Sequence, residues 1–70
     1  MAELLGTRLK VRRAMLNLTQ ANLADQTGIT RKSINAIETG KMVPSIVLCL
    51  KLAKALGAPV EELFYLEQQE

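Results

Sequence analysis

Apolar residues recur along this chain in short bursts at helical spacing, and each burst stops at an asparagine, a glycine or a proline. Leu9, Arg13 and Leu16 share one helical face, with Val11 and Met15 beside it, which predicts a first helix over residues 7–16. Thr7 is suited to cap it, and Asn17 tolerates the left-handed conformation that ends a helix. Thr19 caps a second helix, residues 20–27, with Leu23 and Ala24 facing inward. Gly28 adopts positive φ without steric cost, so the chain turns sharply there. Thr30 caps a third helix, residues 31–38, whose inner side is Ile34 and Ile37 and whose end is Gly40. Pro44 and Ser45 open a fourth helix that runs to Leu56 and stops at Gly57. Pro59 opens a short fifth helix over residues 60–64. The fold class expected is all-α, five helices in a single domain spanning residues 1–70.

Ala24, Gly28 and Ile34 stand in the order that two closely crossing helices need. A small residue lets the helices approach, a glycine turns the chain, and an isoleucine fills the corner. With Leu23, Ile29 and Ile37 they form a helix-turn-helix signal. The third helix opens on polar and basic side chains and ends on apolar ones, as an element must if its tip enters a DNA groove while its rear is anchored in a core.

Composition narrows the function. Apolar residues make up 49% of the chain, too many for a disordered tail. No apolar run approaches the roughly 18 residues that cross a bilayer. No basic segment followed by an apolar one opens the chain, so a cytoplasmic location is expected. Cys49 has no cysteine or histidine partner and reads as a small core residue, and histidine is absent altogether. Without histidine, paired carboxylates in a cleft or an activated nucleophile, an enzyme is not expected, nor is a metal, a cofactor or a small-molecule ligand. The net charge of +2 is unevenly spread: residues 1–41 hold seven basic against three acidic side chains, and residues 42–70 hold two against four. That asymmetry suits a polyanion bound on one face.

The combination of Leu9 and Lys10 with Arg13, Leu18-Thr19-Gln20, Leu23-Ala24, Gly28, Ser33-Ile34-Asn35-Ala36-Ile37-Glu38, Gly40-Lys41, Pro44-Ser45, Ala53-Lys54-Ala55-Leu56-Gly57 and Glu61-Glu62-Leu63-Phe64 resembles the lambda repressor/Cro-like family of Xre-type regulators. The resemblance covers residues 8–66. It implies a five-helix domain that binds operator DNA, usually as a dimer, with Thr19, Gln20, Thr30, Arg31, Lys32, Ser33, Asn35, Ala36 and Lys41 at the DNA. Gln20 would meet a phosphate through its side chain and amide. Arg31 and Lys32 suit guanine O6 and N7, and Asn35 suits adenine. Being adjacent, Arg31 and Lys32 point about 100° apart and would not read the same base. Arg13 and Glu38 match a salt-bridged pair that orients the recognition helix rather than reading DNA. Arg12 departs from the family pattern, and its head would snorkel outward.

The helix over residues 46–53 is apolar nearly all round, whereas a helix on a monomer's surface should keep one wet face. Val47, Leu48, Leu50, Phe64 and Leu66 therefore suggest a two-fold interface. Pairing of Glu3, Leu4 and Leu5 with Phe64, Tyr65 and Leu66 as a short terminal β ribbon is a further expectation. Two other readings compete with an operator-binding repressor: the antitoxin of a toxin–antitoxin pair that controls its own operon, and a protein-interaction module that keeps the fold.

Overall fold

The computed structural model describes residues 2–69. The elements follow in the order β1 (Ala2–Thr7), α1 (Leu9–Met15), α2 (Gln20–Thr27), α3 (Arg31–Glu38), α4 (Ile46–Leu56), α5 (Val60–Leu63) and β2 (Phe64–Gln69). The five helices stand where the periodicity puts them. The all-α expectation is corrected by the two strands, which form an antiparallel pair with Leu5 opposite Leu66 and Thr7 opposite Phe64. The first helix is shorter than expected because β1 takes Thr7. That residue still serves the helix: its hydroxyl accepts from the Leu9 N–H at 3.0 Å while donating to the Leu63 carbonyl at 3.3 Å.

A two-stranded ribbon is marginal in water unless it packs against something. Here Phe64 anchors one end in the core. The Tyr65 ring covers Gly6 so closely that a Cβ on Gly6 would collide with it. The Arg8 guanidinium lies 4.2 Å from the centroid of that ring, a stacked cation–π contact.

The core is built from Leu9, Leu23, Ile29, Ile34, Ile37, Leu52, Leu56, Leu63 and Phe64, so every helix contributes to it. Cys49 is buried with them, and burial raises its thiol pKa, which keeps it protonated and inert. Leu16, expected on the same face as Leu9, and Val11 and Met15, expected beside it, are exposed instead; only Leu9 of α1 is fully buried. Arg12 lines a shallow groove between α1 and α5 with Arg8, Val11, Met15, Glu61 and Glu62, and its Nε is buried without a hydrogen-bond partner among the described residues.

Candidate nucleic-acid interface

Local chemistry sets the two helices of the motif. Thr19 forms a capping box with Asn22: the Thr19 hydroxyl accepts from the Asn22 N–H at 2.9 Å, and the Thr19 N–H donates to Asn22 Oδ1 at 3.0 Å. Gly28, at φ 75°, closes α2 in the left-handed conformation, its N–H on the Ala24 carbonyl at 2.9 Å. Thr27 tightens the same turn, with its hydroxyl accepting from the Ile29 N–H at 3.1 Å. Thr30 then caps α3, accepting from the Ser33 N–H at 3.1 Å and donating to Ser33 Oγ at 2.9 Å. The Thr19 and Thr30 hydroxyls are thus engaged in capping. The Ser33 hydroxyl accepts from Thr30 and keeps its own proton for an outside acceptor.

The rear of α3 is locked down by Ile34, fully buried, and Ile37. Its front is open: Arg31, Lys32 and Asn35 are exposed, and Ser33 and Ala36 are half-buried. Lys41 is exposed too, held next to the end of α3 by its own N–H, which donates to the Ala36 carbonyl at 2.8 Å. At the start of each helix, the first N–H groups point out of the helix with no partner in the i−4 ladder, a favourable setting for an anion. The residues expected at DNA therefore share the N-terminal ends of α2 and α3 and the turn after α3.

Arg13 and Glu38 form the expected pair. Arg13 Nε donates to Glu38 Oε2 at 2.8 Å and Nη2 to Oε1 at 3.1 Å, a two-pronged contact in which the Glu38 side chain is 2% exposed and that of Arg13 13%. Arg13 Nη1 also donates to the Leu18 carbonyl at 2.7 Å, which ties α1, the α1–α2 turn and the end of α3 together. Burial pushes the Glu38 pKa up, but hydrogen bonds from Arg13 and Gln20, with the charges of Arg13 and Lys10, outweigh it and hold the carboxyl below the ordinary carboxylate range. Its bond to Glu38, opposed by burial, raises the Arg13 pKa.

The direction of the Glu38 shift sets a pH dependence. A folded pKa below the unfolded one means that ionised Glu38 adds stability above the ordinary value of 4.5, and that this is lost as pH falls through the lower folded value. Urea unfolding between pH 2 and 6 should show stability beginning to fall as pH drops below 4.5 and levelling off once the lower folded value is passed, and Glu38→Gln should flatten the fall. An equally steep acid limb in the variant would remove Glu38 as its source.

Gln20 also makes contacts within the protein that the spacing does not suggest. Its Nε2 donates to Asn35 Oδ1 at 3.1 Å and to Glu38 Oε1 at 3.0 Å, so this nitrogen is turned to the protein and not to a phosphate. The backbone N–H of Gln20 remains for an anion. Asn35 Oδ1 accepts that bond with one of its two lone pairs and is thereby turned toward Gln20. Gln20 lies 15 and 18 residues from these two partners, too far for local spacing to reveal the link. A signal was present in the spacing of Asn35 and Glu38, one turn apart on α3 and facing the start of α2.

The apolar surface also needs correction. Phe64, expected at a two-fold interface, is buried in the chain's own core. Leu48 is half-buried against that core. Val47, Leu50 and Leu66 are exposed, at 57%, 56% and 68%. Leu4, Leu5, Val43 and Ile46 are open to solvent as well, and Leu4, Leu5 and Val43 line one groove of about 270 Å³ with Met42 and Glu67. No helix among the described residues is long and apolar enough to cross a membrane.

Comparison with known proteins agrees with this geometry. A family model described as helix-turn-helix matches residues 9–63. An uncharacterized HTH-type transcriptional regulator of Methanocaldococcus jannaschii is 46% identical over 63 residues, covering 90% of this chain and 96% of that protein. The cryptic phage CTXphi transcriptional repressor RstR of Vibrio cholerae is 38% identical over 56 residues, covering 80% of this chain and 50% of that protein. Among solved structures, the restriction-modification controller protein C.AhdI of Aeromonas hydrophila superimposes with a TM-score of 0.76 at 36% identity, covering 79% of this chain and 83% of that one.

Proposed function

Because the chain belongs to the helix-turn-helix family of DNA-binding transcriptional regulators, we propose that it is a repressor that binds a roughly palindromic operator as a homodimer, with α3 in the major groove. The observation that carries this reading is the division of α3: buried Ile34 and Ile37 behind, exposed Arg31, Lys32 and Asn35 in front. Arg31 and Lys32 supply base and phosphate contacts. The N-termini of α2 and α3, with Ser33 and Lys41, meet the backbone. A controller protein and a phage repressor among its relatives favour repression over a purely interaction-based role.

Dimerisation rests on the apolar surface. Leu4, Leu5 and Val43 line one groove, and Ile46, Val47, Leu50 and Leu66 are also open to water; a partner subunit would cover apolar surface that one copy leaves exposed. A two-fold axis through that surface would set two recognition helices about 34 Å apart, one turn of DNA.

Selection of bound duplexes from a random pool tests the proposal. Two inverted half-sites one helical turn apart are the expected result; a single half-site, or no consensus, would contradict it. Sedimentation should give a dimer at micromolar concentration, and Leu50→Glu should shift it to monomer and weaken operator binding at least tenfold through lost pairing of the half-sites. A wild-type monomer at high micromolar concentration would remove the dimer.

A further inference from the structure

We infer that Glu38 and Gln20 act as positioning residues that turn Asn35 into a fixed hydrogen-bond donor toward DNA, so that it selects guanine rather than adenine at the base it faces. The inference rests on the operator-binding reading and deepens it.

Glu38, held ionised by Arg13, has only acceptors to offer. The part of Gln20 that meets it must therefore be the NH2 group, which removes the ambiguity that normally attends a side-chain amide. One N–H of Gln20 goes to Glu38 Oε1 at 3.0 Å, and the other goes to Asn35 at 3.1 Å, where only the carbonyl oxygen can accept it. Asn35 thus has its oxygen turned toward Gln20. The amide is planar, so Nδ2 projects the other way, from an exposed position on the open front of α3. A buried charge sets the sense of Gln20, and Gln20 sets the sense of Asn35. Flipping Asn35 alone would bring two NH2 groups together; flipping Gln20 would bring its carbonyl against the carboxylate.

The major-groove edge of each base responds differently to a donor presented alone. Guanine shows two acceptors, N7 and O6. Adenine shows one acceptor beside a donor and is read well by asparagine when Oδ1 and Nδ2 face it together, whereas here Oδ1 is turned toward Gln20. Cytosine shows a donor, which a fixed NH2 repels. The relay therefore favours guanine, disfavours adenine relative to a free asparagine, and excludes cytosine.

Duplex selection with wild type, Asn35→Ala, Gln20→Leu and Gln20→Met tests this. Wild type should prefer guanine by about five- to tenfold over adenine at one position per half-site. Asn35→Ala should lose the preference at that position only. Both Gln20 variants cut the relay, and in them adenine should rise to at least parity there while other positions hold; a merely structural Gln20 would weaken every position evenly. In the free protein, the Asn35 NH2 resonances should shift when Gln20 is replaced, which reads the relay without DNA. Adenine at that position in wild type, or guanine retained in both folded Gln20 variants, would overturn the relay while leaving the operator reading intact. Absence of any consensus would overturn both.

Discussion

Arg13→Ala should destabilise the domain by roughly 3–5 kcal/mol, because it strands a carboxylate that is 2% exposed. A chain of this length is held together by only about 4–10 kcal/mol. The loss therefore consumes a large part of the total and should lower the melting temperature by about 15–30 °C. The guanidinium also satisfies the Leu18 carbonyl, so the α1–α2 turn loses its tie at the same time. Removing both charges should cost less than the sum of the single changes, since the double variant leaves no buried ion. Thermal and urea unfolding of the two single variants and the double variant check this. A single-variant loss under about 1 kcal/mol would mean that water reaches Glu38 and that the pair behaves like a surface ion pair.

Arg31→Ala and Lys32→Ala together should weaken operator binding by about 10²- to 10³-fold at fixed salt, since a base-reading side chain contributes about 1–3 kcal/mol. The two single variants should differ in kind. The one that reads a base relaxes preference at a single position, and the one on phosphate weakens all sequences evenly and lowers the salt slope by about one. Lys51→Ala with Lys54→Ala removes the same charge from α4 and should change affinity by less than about threefold, because only screened, long-range attraction is lost. Fluorescence anisotropy on a selected duplex measures all of these. Equal losses from the α3 and α4 pairs would make the binding a matter of net charge and not of the α3 tip.

The motif was legible in the sequence because its punctuation is local. Thr19, Gly28 and Thr30 act on residues within four positions of themselves, and α2 and α3 begin and end where those residues predict. The buried Arg13–Glu38 pair followed from a resemblance, not from spacing, since the two lie 25 residues apart. Contacts between distant segments were harder to read. The terminal ribbon was expected only in outline, and its register, which takes Thr7 from the first helix, depends on Phe64 at the other end of the chain. Phe64 itself shows the limit of apolarity as a guide: it sits where α5 passes into β2, and whether it faces the core or a partner depends on packing that composition does not specify. Val11, Met15 and Leu16 show the converse, apolar at helical spacing yet exposed. The link from Glu38 through Gln20 to Asn35 joins two helices by a carboxylate and two side-chain amides; the one-turn spacing of Asn35 and Glu38 marks its α3 side, but no periodicity points from there to Gln20.

The most direct test of the central claim is the map of nuclear magnetic resonance shifts when the selected operator duplex is added to the protein. The largest changes should fall on the backbone N–H groups of Gln20, Arg31 and Lys32, on the side chains of Arg31, Ser33 and Asn35, and on Lys41. Changes centred instead on the groove between α1 and α5, with the front of α3 unmoved, would contradict it.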